Sequence, residues 1–136
     1  MAQLVLTNAS ITINAVDLSS RSNKVSINYE VESVEVTSFN SAGTRTYSAG
    51  MNNTTVDIDL IQDFAAANVE ATIYPLVGTT TTVIIKPTSS AVGATNPTYT
   101  IAGAFLAKHT PVAGGVGSVA MTSLSFQGGT ITKATS

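Results

Sequence analysis

Residues 25–32 read Val25-Ser26-Ile27-Asn28-Tyr29-Glu30-Val31-Glu32, with apolar and polar side chains in strict alternation. Successive side chains of a strand point to opposite faces, so Val25, Ile27, Tyr29 and Val31 share one face and Ser26, Asn28, Glu30 and Glu32 the other. The same period returns at 56–60, where Val56, Ile58 and Leu60 oppose Asp57 and Asp59. Further strands are expected within 4–14, 34–39, 83–86, 99–108, 119–127 and 130–133. Clusters of turn-forming residues separate them at 17–23, 40–43, 50–53, 78–80, 87–97 and 111–117. Short strands punctuated this regularly predict an all-β fold of two packed antiparallel sheets, a sandwich or barrel, in a single domain spanning 1–136.

One stretch departs from period two. Asp63 is a suitable N-cap, 64–74 contains three consecutive alanines, and Pro75 with Gly78 supplies a stop. Helical spacing aligns Val69, Ile73 and Leu76 in one stripe, with Phe64, Ala67 and Ala71 nearby, so one α-helix is expected to flank the sheets.

Composition narrows the function. Only 10% of the 136 residues are charged, against roughly 25% in ordinary soluble domains, and the formal charge is −2. Six cations scattered from Arg21 to Lys133 make no surface for gripping nucleic acid. The chain holds 21 Thr and 15 Ser, many of the Thr set among Val and Ile, which suits pleated sheet. Mean hydropathy is nonetheless positive, and burial of surface between copies of the chain would account for that with so few charges. The N-terminus has no basic stretch of an export signal and no apolar run approaches the ~18 residues of a membrane span, so neither export by such a signal nor a membrane partner is expected.

No catalytic constellation emerges. There is no cysteine, hence no disulfide and no thiolate metal site, and the single histidine, His109, has no second imidazole to share a metal with. No G-x-S-x-G elbow positions a serine, and His109 reads as a solvated or hydrogen-bonded residue at a strand end. The glycines at 114, 115 and 117 fit neither nucleotide-binding fingerprint and read as a turn. Paired acids on strands are usually a polar face, and no calcium-loop pattern surrounds these. No enzyme activity, metal or cofactor is therefore expected.

Two features point to assembly instead. Residues 40–53 are rich in Ser, Asn and Gly, yet the segment carries Arg45, Tyr47 and Met51, the make-up of a mobile partner-binding arm. Glu30, Glu32, Asp57 and Asp59 would form an acidic face if their strands are neighbours, and such a face lining a channel would let DNA slide without sticking. A monomeric or trimeric β-sandwich module for capsid decoration or carbohydrate binding is the rival reading, disfavoured by four Tyr and no Trp for stacking on sugars.

The order of landmarks resembles the tail tube proteins of long, non-contractile phage tails. The resemblance runs through Val16-Asp17-Leu18-Ser19, Val34-Glu35-Val36-Thr37-Ser38-Phe39, Gln62-Asp63-Phe64-Ala65, Tyr74-Pro75-Leu76-Val77-Gly78, Asn96-Pro97-Thr98-Tyr99, His109-Thr110-Pro111-Val112 and Gly115-Val116-Gly117. It implies a virion subunit, assembled in the host cytoplasm, in which six copies form a ring and rings stack into a helical tube for genome ejection. The arm and termini would then reach neighbouring rings. Partners so implied are further copies of the chain, a tape-measure protein, a tail terminator, a distal tail protein and DNA in transit.

Overall fold

The computed structural model describes residues 8–64 and 69–135. Eight strands follow in order: β1 (Ser10–Ile13), β2 (Val16–Asp17), β3 (Ser22–Glu35), β4 (Tyr47–Ile61), β5 (Thr80–Lys86), β6 (Thr98–His109), β7 (Met121–Gln127) and β8 (Thr130–Ala134). A short helix, α1 (Val69–Ile73), lies between β4 and β5. All pairings are antiparallel, and the sheet runs β2-β1-β5-β6-β7-β4-β3, with β8 on β6.

This corrects the expectation of two packed sheets in a sandwich or barrel: the strands form one continuous, unclosed sheet. The physical reason is β6, which is long enough to serve both halves. One edge pairs with β5; the other pairs first with β8 and then with β7. Ala102 sits opposite Thr130 and Phe105 opposite Gln127, so β7 and β8 keep one register and amount to a single strand with a corner in it. That corner is made of glycine. Gly103, Gly128 and Gly129 all have positive φ, and Gly103 falls in the bulge where β5 and β6 shift register. A Cβ on Gly129 would lie 2.7 Å from the Ala102 carbonyl oxygen, so only glycine permits β6 to be approached this closely.

Bent there, the sheet wraps its own core. Ile11 and Ile13 of β1, Val83 and Ile85 of β5, Ile101 and Leu106 of β6, Leu124 and Phe126 of β7, and Val56, Ile58 and Leu60 of β4 are all buried in one cluster. The alternation read at 56–60 thus resolves into three core side chains with Asp57 and Asp59 pointing away. Val25 and Ile27 of β3 pack on the same cluster while only partly buried. Closure fails between the two ends of the sheet. Ala9 and Ile11, at the end of β1 that β2 leaves unpaired, and Asn23, Lys24 and Val25 of β3 line a cleft of about 200 Å³ with no ladder between them.

The flanking helix is present but short. Val69 and Ile73 are fully buried and Leu76 packs on the core from a following turn of 3₁₀-helix, Tyr74–Leu76, so the expected stripe is the packed one. Ala71 and Phe64 instead face solvent, and Ala67 lies outside the described residues. The Asp63 carboxylate receives the Arg21 guanidinium at 2.8 Å; a capping contact to 65–68 would fall outside the described residues.

Candidate functional site

Of the expected arm, 40–53, the register places 47–53 in strand β4 and leaves 40–46 in the turn at its tip. β3 and β4 form a hairpin with 14 and 15 residues in its legs, and β7 supports only Thr55–Ile61 of it. At ~3.3 Å per residue the remainder overhangs the body by about 25 Å. Residues 47–53 show no alternation because nothing there is buried, and on β3 the alternation read through Tyr29 and Val31 buries no face either: almost every side chain from Asn28 to Asn53 is exposed, and backbone pairing sustains the strands. One bulge bends the overhang, with Gly50 and Met51 opposite Glu32, and a Cβ on Gly50 would press the Glu32 side chain at 3.2 Å. The tip is held by Val36 N donating to the Thr46 carbonyl at 2.9 Å and Thr46 N donating to Thr37 Oγ1 at 3.0 Å. Arg45 reaches Glu35 across it at 3.8 Å, an exposed pair worth little.

Apolar side chains accumulate on this overhang without a core to enter. Phe39 is fully exposed (106%), Met51 is 79% exposed, and Tyr29, Val31, Val34, Val36 and Tyr47 are each roughly half exposed. Tyr47 and Met51 stand on strand β4, while Arg45 belongs to the tip.

The four acids do share a face, yet they do not cluster. Asp57 is opposite Ser26 and Ser125, and Asp59 is opposite Lys24 and Ser123, whose hydroxyl donates to Asp59 Oδ1 at 2.9 Å. Lys108 ends the Asp57 row beyond Ser125. Glu30 pairs with Asn53, four residues or about 13 Å further along β4, and Glu32 lies two residues on, at the bulge. The face therefore presents hydroxyls, amides and four carboxylates, of which Asp57 and Asp59 have an ammonium group in their rows and Glu30 and Glu32 do not. Cross-strand neighbours of this kind could not be read from β3 and β4 alone, because Lys108 and Ser125 come from other strands.

His109 is fully engaged. Its side chain is 2% exposed; Nε2 meets Glu70 Oε2 at 3.0 Å and Nδ1 meets Thr122 Oγ1 at 3.1 Å. Thr122 spends its only hydroxyl proton on the Thr110 carbonyl, at 2.6 Å, so Nδ1 must donate to Thr122. Glu70 also receives Gln62 Nε2 at 3.1 Å, and that amide donates to the Pro111 carbonyl as well. The cluster ties α1 to the ends of β4, β6 and β7. Of the two expectations for His109, a solvated or a hydrogen-bonded strand-end residue, the structure shows the second. Its partners come from distant segments, which no local motif marks. Among the described residues no group of three or more His, Cys, Asp or Glu is placed to hold a metal ion.

No protein-family model matches the chain, and no curated protein matches it in sequence. The fold, in contrast, recurs in solved assemblies. A chain in a cryo-EM structure of an extracellular contractile injection system, the PVC sheath-tube complex in its extended state, superposes with a TM-score of 0.73 at 11% identity, over 98% of this chain and 93% of that one. The anti-feeding prophage cap, described as a tube-terminating cap, gives 0.74 at 11% identity, over 100% and 93%. The tail of an empty gene transfer agent particle, refined helically with C6 symmetry, gives 0.64 at 16% identity, over 82% and 81%. The chain thus shares its fold with chains of such sheath-tube, cap and tail assemblies.

Proposed function

We propose that this chain is the tube subunit of a long phage-like tail, of the non-contractile kind its sequence landmarks resemble. Copies join into rings of six, rings stack, and the stack encloses a channel through which DNA leaves the particle. The observation that carries this reading is a sheet left open at both ends, extended by an overhanging hairpin coated with apolar side chains. An isolated molecule has no use for either. Unpaired edges invite association unless covered, and a closed ring covers them in a defined symmetry. The shared fold with a C6-symmetric tail supports the ring number.

In this arrangement Glu30, Glu32, Asp57 and Asp59 face the channel, and Lys24 and Lys108 moderate their charge. With four acids against two lysines the wall keeps a moderate negative charge among its hydroxyls and amides, and such a surface does not grip a polyanion. The arm with Arg45, Tyr47 and Met51 bridges to the next ring. Tape-measure, terminator and distal tail proteins would complete the tail, which assembles in the host cytoplasm and ends in the virion.

Purified protein examined by size-exclusion chromatography and negative-stain microscopy tests the reading. Rings or tubes are the expected result, and a variant shortened between Arg45 and Met51 should stop at rings. A species that stays monomeric at high concentration would overturn it.

A further inference from the structure

β4 carries an unlike apolar surface at each of its two ends. One is the hairpin tip, with Phe39, Tyr47 and Met51. The other lies beyond Ile61, where Tyr74, Val77, Pro111 and His109 line a shallow cleft of about 390 Å³ and Val112 and Val119 stand exposed on the adjoining loop. The cleft is built rather than incidental. Gln62 N donates to the Ala120 carbonyl at 3.0 Å, Met121 N to the Ala113 carbonyl at 2.9 Å, and Gln62 Nε2 to the Pro111 carbonyl at 2.5 Å, so the loop is held against the end of β4. A receptor already in shape loses little entropy when it binds.

Fifteen residues of strand separate the two surfaces by about 50 Å, so no molecule can bring its own tip to its own cleft. Unlike patches at opposite ends meet head to tail between copies, and such a contact repeats along an open filament wherever its rotation does not close a ring. The amounts suit an interface. Phe39 together with the exposed half of Tyr47 offers on the order of 300 Å² at the tip, taking ~200 Å² per aromatic side chain. That reaches the lower range of the largest apolar patch of an ordinary monomer, and it is over a third of one partner's share in a stable complex, roughly 800 Å². Charge permits the match as well. The hairpin carries Glu30, Glu32 and Glu35 against Arg45, while at the cleft end Glu70 is held by His109 and Gln62, and Asp63 by Arg21.

We propose that the Phe39 tip of one copy seats in the Tyr74, Val77 and Pro111 cleft of the next copy along the stack. The inference rests on the stacking-subunit reading above and specifies its contact. Because the sequence has no cysteine, engineered thiols report without background. Tubes would be grown from a mixture of Phe39→Cys and Tyr74→Cys copies, one of them tagged, then oxidised and analysed by mass spectrometry. Met51→Cys with Val112→Cys forms a second pair for a contact displaced by a few ångströms. All four positions are exposed, so the variants should fold as the parent does. The expected result is a disulfide joining tip to cleft between different copies in at least one pair. Tubes that yield only tip-to-tip links, or no link in either pair, overturn this docking while leaving the tube reading intact. Absence of any ring or tube from the parent protein removes the reading and the docking together.

Discussion

Asp17 shows how much one exposed side chain can organise. Its Oδ1 accepts the Ser19 backbone N–H at 2.9 Å and the Ser19 hydroxyl at 2.5 Å, and Ser19 Oγ in turn accepts Ile11 N–H at 2.8 Å. The start of β1 is thereby fastened to the turn before β3. The Ser19 hydroxyl and backbone bonds hold the Asp17 carboxyl below the usual aspartate range, with burial opposing and Lys86 assisting. A carboxylate with a lowered folded-state pKa stabilises the protein above the ordinary aspartate value, and the contribution disappears as pH falls through the lowered one. Asp17→Ala should therefore cost on the order of 1 kcal/mol near neutrality, from the usual worth of such bonds at an exposed site. Urea titrations of parent and variant should converge as the pH drops below the aspartate range. Thr122→Val is expected to be worse, since it strands His109 Nδ1–H and the Thr110 carbonyl in a buried place, at about 1–3 kcal/mol. A stability loss below half a kilocalorie would remove the proton assignment made for His109. Val16-Asp17-Leu18-Ser19 stands out in the sequence as a landmark. Its bonding to Ile11 does not, because that partner belongs to the preceding strand.

Among the elements, alternation revealed the strands that bury one face, and on β3 it ran on through Tyr29 and Val31, which the structure leaves exposed. Val56, Ile58 and Leu60 announce β4 by their period, whereas the part of β4 from Tyr47 to Asn53 has no buried side to impose one. β2 has two residues, too few for any pattern. The two glycines after Gln127 look like an ordinary turn between strands. Their role is visible only beside Gly103, where they bend a shared ladder instead of ending it. Gly129→Ala should test this corner: its Cβ would meet backbone at 2.7 Å and its φ of +90° is unfavourable for alanine. A loss on the order of 2 kcal/mol or more is expected from strain plus overlap, seen as a lowered denaturation midpoint. Gly115→Ala, with nothing within 4 Å of the added carbon, is the control and should change little.

For the whole molecule, periodicity established which side chains face inward but had no means of saying which strand lies beside which. One sheet or two is a question about hydrogen-bond partners, and β6, with neighbours on both edges along its length, answers it as one. The acids illustrate the same limit. That Asp57 and Asp59 point away from the core was readable; that Lys24 and Lys108 stand in their rows was not. Replacing Asp57 and Asp59 together with asparagine should shift stability by less than about 0.5 kcal/mol, as for surface sites generally, since the amide oxygen at 59 still accepts from Ser123. Slower genome release from particles carrying the double variant is the matching functional expectation, and unchanged release kinetics would take these residues off the channel wall. A last consequence concerns force. β4 runs unbroken from the tip to the helix end, and the bonds to β3 and β7 lie across its axis. Tension along the stack would load those ladders in shear, with many bonds resisting together, while a sideways pull at the tip would unzip them singly. The subunit should thus be mechanically anisotropic, tough lengthwise and weak at the overhang, a contrast that single-molecule stretching along the two directions would measure.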